Sequence, residues 1–87
     1  MEIRDNRTPA ESMTHSCLVV CTDAFGCGVS IYAWACKPEN LEKVEAWVRS
    51  RSGGEYVRVV RGKWKPRGVG NAYIYVVNAG HPALKGE

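Results

Sequence analysis

From Ser16 onward the chain alternates apolar and polar positions in two different periods. The runs CLVVCTD and GVSIYAWAC flank the glycine-bearing turn DAFGCG, a pattern that predicts a β-hairpin. Lys37-Pro38-Glu39-Asn40 then ends the second strand, because proline has no N–H for a ladder but suits the first turn of a helix. Leu41, Val44, Trp47 and Val48 recur at spacings of three and four among Glu42, Lys43, Glu45 and Arg49, the stripe of an amphipathic helix. Acidic residues at its start, Arg49 and Arg51 at its end, and Gly53-Gly54 beyond mark both termini. EYVRVVRG and NAYIYVVNA predict two further strands joined through KWKPRGVG, read as a basic hairpin loop.

The expected architecture is therefore α+β: a four-stranded antiparallel sheet in ββαββ order with one helix packed on one face. Residues 1–15 show neither period and are expected to form a flexible leader, residues 16–80 the domain, and residues 81–87 a tail. One helix of about three turns covers one sheet face only, so the other face must be exposed or docked. Alternation puts Val29, Ile31, Ala33 and Ala35 on one side of the second strand and Tyr32, Trp34 and Cys36 on the other. In the last strand Tyr73, Tyr75 and Val77 oppose Ala72, Ile74 and Val76. Tyr32, Trp34, Tyr73 and Tyr75 thus share a face, which Tyr56 and Arg58 could extend. Two readings of that face stay open: aromatic packing under the helix, or an interface.

At 87 residues and 45% hydrophobic content the chain has enough apolar surface for one core and too little for two. So small a domain leaves little room for a deep enclosed active site, which argues against an enzyme. Charge is lopsided. Residues 1–48 hold four Lys/Arg against seven Asp/Glu, and residues 49–87 hold eight against two, so the halves carry −3 and +6. Arg49, Arg51, Arg58, Arg61, Lys63, Lys65 and Arg67 face only Glu55, a field that would steer an anionic partner. Trp64 lies in the middle of the cluster 61–67, a combination suited to base stacking or to an interface hot spot. The competing reading is a solvated loop whose indole folds back on the sheet edge.

Other chemistry is thin. Cys17, Cys21, Cys27 and Cys36 are too irregularly spaced for paired metal knuckles, and two strand positions four residues apart cannot share one tetrahedral ion, so no metal or cofactor is expected. A Cys21–Cys27 disulfide across the turn would be kept reduced in a cytoplasmic setting. Cys27 has no motif tying it to His15 or His81, both of which stand where solvated imidazoles are common. Gly26-Cys27-Gly28 and Gly68-Val69-Gly70 do not open phosphate-binding helices. No run reaches the length of a membrane span, and the start of the chain lacks a signal-type apolar stretch.

In size, ββαββ text and lack of catalytic groups the chain resembles the small phage-encoded inhibitors of the anti-CRISPR type. That resemblance implies a non-enzymatic inhibitor docking on a nucleoprotein complex. The expected partner is a protein or nucleoprotein, with free nucleic acid as an alternative occupant of the same residues and a homodimer through the sheet face as a third.

Overall fold

The computed structural model describes residues 2–22, 30–52, 57–66 and 70–85, and assigns five strands rather than four. They are β1 (Glu2–Asp5), β2 (Cys17–Thr22), β3 (Ser30–Cys36), β4 (Val57–Arg61) and β5 (Asn71–Val76), in the spatial order β1-β5-β3-β2-β4. β2 pairs antiparallel with β3 and β4, whereas β5 pairs parallel with both β1 and β3. The sheet is mixed, so the four-stranded antiparallel expectation is corrected. The turn 23–28, Val29, Gly53-Gly54, Glu55, Tyr56 and Arg67-Gly68-Val69, all used in the sequence reading, lie outside the described residues.

The fifth strand comes from the segment read as a leader. Glu2–Asp5 pairs with Asn71–Ile74, and the Asn6 amide donates to the Ile74 carbonyl at 3.1 Å. Thr8 then caps the short helix α1 (Pro9–Thr14): its hydroxyl accepts from the Glu11 amide, and the Glu11 carboxylate accepts from the Thr8 amide. This reciprocal pair satisfies two donors that a helix start leaves open. In place of a loose leader, residues 2–15 thus close one sheet edge and deliver a buried His15, only 4% exposed, to the body of the protein.

Sheet order also changes the meaning of the basic loop. β4 and β5 both run antiparallel to β2, so they are parallel to each other and lie on opposite sides of the β2–β3 pair. The connection from β4 to β5 is therefore a crossover and not a hairpin. Parallel crossovers are right-handed because of strand twist. The helix α2 (Leu41–Ser52), entered through a 3₁₀ turn at Pro38–Asn40, carries the chain from β3 to β4 over one face. A return in the opposite direction keeps the same hand only by running over the other face.

Two apolar layers result. On the helix side, Val44 and Val48 of α2 pack with Cys17, Val19, Cys36, Val57 and Val77. On the crossover side, Leu18, Val20, Ile31, Ala33, Ala35, Ala72 and Ile74 form a second cluster, against which Val60 and Trp64 pack. β2, apolar on both faces, is the strand both layers share. Cys17 and Cys36 sit opposite each other in the β2–β3 register, and burial followed by the neighbouring Cys17 pushes the Cys36 thiol up to about 11.

Candidate functional site

The aromatic residues of β3 and β5 lie on the helix side of the sheet, but beside α2 and not beneath it. α2 packs mainly against β2, β4 and the 3₁₀ turn Pro82–Leu84, leaving the β3–β5 half of that face partly open. In the parallel register Tyr32 stands beside Tyr73 and Trp34 beside Tyr75. Tyr32 stacks on Tyr73 with ring centres 5.6 Å apart and on Tyr75 at 6.3 Å, and Trp34 meets Tyr75 at 5.8 Å. Trp34 also makes an edge contact with Trp47 of α2 at 6.0 Å, and Trp47 one with His81 at 4.9 Å.

This run of rings ends in a guanidinium at each side. Arg4 of β1 lies over Tyr73 at 5.9 Å, and Arg51 of α2 lies over Trp47 at 4.7 Å. Tyr75, in the middle, is 37% exposed, and Tyr32, Trp34 and Tyr73 are half-buried. The sheet-face residues read from alternation are thus brought together. The two arginines that flank them divide differently, since Arg51 belongs to the basic cluster and Arg4 to the supposed leader.

The rest of the basic cluster is dispersed. Arg49 is tied to Glu45 one turn back, at 2.9 Å. Arg58 and Arg61 are exposed on edge strand β4, at the opposite border of the sheet from β1. Lys63 and Lys65 are exposed in the crossover on the far face, and Arg67 lies outside the described residues. Trp64, read either as an exposed anchor or as an indole folded back on the sheet edge, packs on the second core cluster, and its Nε1–H is buried without a hydrogen-bond partner among the described residues. The cause is topological: a segment crossing a sheet face must cover it, and the indole is its one large apolar side chain.

At the carboxyl ends of β1, β3 and β5 an open cleft of about 460 Å³ adjoins the aromatic run, lined by Asn6, Glu11, Trp34, Tyr75, Val76 and His81. Its polar wall is held by a relay. His15 Nε2 donates to Asn78 Oδ1 at 2.9 Å, and Asn78 Nδ2 donates to Glu11 Oε2 at 3.3 Å. The Thr8 amide and then Asn78 hold the Glu11 carboxyl below its usual range, so it is ionised at neutral pH. Burial, then Arg51, lowers His81, and its Nδ1 accepts from the Ala83 amide at 3.1 Å. Burial, then Tyr32, raises the Tyr75 phenol. The cleft accordingly presents one carboxylate among neutral rings. Sequence reading missed Glu11 and Asn78 and took His15, which is buried, for a solvated imidazole, because Asn78 lies more than sixty positions from both Glu11 and His15; the only local signal was Thr8-x-x-Glu11, a capping box.

Among the described residues no group of His, Cys, Asp and Glu could hold a metal ion, and no helix is long and apolar enough to cross a membrane. Cys17, Cys21 and Cys36 are free thiols. No family model matches the chain, nor does any curated protein or solved structure.

Proposed function

We propose that this protein is a non-catalytic binding module whose working surface is the open aromatic half of the helix-side face, and that it takes a single strand of nucleic acid. The supporting observation is the continuous run from Trp47 through Trp34, Tyr75 and Tyr32 to Tyr73, bounded by Arg51 and Arg4. Bases stack on such rings irrespective of sequence, at about 1–3 kcal/mol each, while guanidinium groups meet the phosphates and can also stack. A net charge of +3 favours the encounter. Held within a nucleoprotein complex, as the resemblance to phage-encoded inhibitors implies, the same strand would meet the same residues.

Fluorescence anisotropy with labelled single-stranded and duplex oligonucleotides tests this reading. Single strands should bind more tightly, with a logarithmic salt slope that falls by about 0.7 when Arg4 or Arg51 becomes Ala. Absence of binding at low salt, together with concentration-dependent dimerisation in sedimentation velocity, would assign the face to a second copy of the chain instead.

A further inference from the structure

We infer that the cleft at the end of the aromatic run is a guanine-selective subsite, with Glu11 as the group that reads the base; this rests on the nucleic-acid reading above. Its volume of about 460 Å³ falls in the range of small-ligand sites, and Trp34 and Tyr75, both members of the stacking run, line it. The carboxylate is oriented by two hydrogen bonds, both open to solvent. One oxygen accepts from the Thr8 amide at 2.9 Å and the other from Asn78 Nδ2 at 3.3 Å, and Asn78 is itself anchored by buried His15. A carboxylate has about four acceptor sites, so each oxygen keeps one for a ligand.

The chemistry of the bases then discriminates. Guanine alone places two adjacent donors, N1–H and the N2 amine, on its Watson–Crick edge, matching the two oxygens of one carboxylate as a charge-assisted pair. Adenine and cytosine offer an amine beside an acceptor nitrogen, and uracil an N–H between two carbonyls; in each the acceptor would face the negative charge. His81 adds to the match. Because its Nδ1 accepts from the Ala83 amide, the proton of the neutral ring sits on Nε2, a donor suited to a carbonyl oxygen such as O6.

The test uses the full chain and hexameric RNA oligonucleotides with one variable base in a uridine background, read by anisotropy. Guanine should bind about tenfold or more tighter than adenine, the discrimination of one bidentate contact. Inosine, which keeps N1–H and lacks the amine, should fall between them. Glu11→Gln preserves the capping box, in which glutamine serves as well as glutamate, and should reduce the guanine-to-adenine ratio to within about twofold. Equal affinity for all bases, or a guanine preference that survives E11Q, would overturn the subsite while leaving the stacking surface in place. No binding of any oligonucleotide would overturn both.

Discussion

The two faces of the sheet are built on different plans. Where the crossover runs, β3 and β5 present Ile31, Ala33, Ala35, Ala72 and Ile74, and Trp64 packs against the cluster they form with Leu18 and Val20. On the reverse of the same strands stand Tyr32, Trp34, Tyr73 and Tyr75, with the border of α2 on one side of them and Arg4 of β1 on the other. Among the described residues, one face is covered by the crossover at Trp64 and the other is left partly open beside α2. Trp34 and Trp47 pack against the helix-side core, while Tyr32, Tyr73 and Tyr75 stay partly exposed beside it.

That contrast can be broken by substitution. Trp64→Ala should cost about 3 kcal/mol of stability in urea unfolding, near the lower end for a tryptophan because the indole is half-buried and its N–H is unpaired. If Trp64→Ala is neutral, the crossover does not cover its face. Tyr75→Ala should do the reverse, leaving the unfolding midpoint nearly unchanged while weakening single-strand binding by about 1–3 kcal/mol, the value of one base stack. Deleting residues 1–15 removes β1, α1 and the His15 relay together; the melting temperature should fall by more than about 5 °C, roughly 1 kcal/mol in a domain of this size. Coincident melts would return that segment to the status of a leader.

Smaller effects sharpen the same contrast. Reversing Lys63 and Lys65 to Glu should slow association modestly through the long-range field, and should leave the dissociation rate unchanged because both lie on the crossover side. The smallest effect is a pH slope. His81 takes a proton in the unfolded chain near its ordinary pKa of about 6.5, and at lower pH in the folded one. Its contribution is therefore intact above about pH 6.5 and is lost as pH falls from there through the depressed folded value. Asp5 and Glu11, also lowered, act only in the carboxylate range. Unfolding of wild type and His81→Gln compared at pH 7.5 and 5.5 should show the flatter slope in the variant.

Elements with local periodicity were legible in the sequence. The β2–β3 pairing and the stripe Leu41, Val44, Trp47 and Val48 stand where alternation and 3.6-residue spacing put them, and the common face of Tyr32, Trp34, Tyr73 and Tyr75 follows from strand parity. β1 was not legible, since all four of its residues are exposed and its partner is about seventy positions away. The connection 62–70 has a length compatible with a hairpin, so spacing misplaced it. A signal was nevertheless present: Cys17, Leu18, Val19 and Val20 make β2 apolar on both sides, a strand that must be covered twice, and one helix covers it once. The second cover had to come from a loop bearing a large apolar residue, and Trp64 is that residue. The dispersal of Arg49, Arg58, Arg61, Lys63 and Lys65 follows from the same topology, since closeness in sequence is no guide to position once the chain crosses the sheet.

The three tryptophans divide between the faces, and their indole N–H resonances report on each separately. Titrating the ¹⁵N-labelled protein with a single-stranded hexanucleotide should shift the Trp34 and Trp47 signals along with the amides of Tyr73 and Tyr75, and leave the Trp64 signal in place. A shift confined to Trp64 and the Lys63–Lys65 amides would put the working surface on the crossover, contradicting the account.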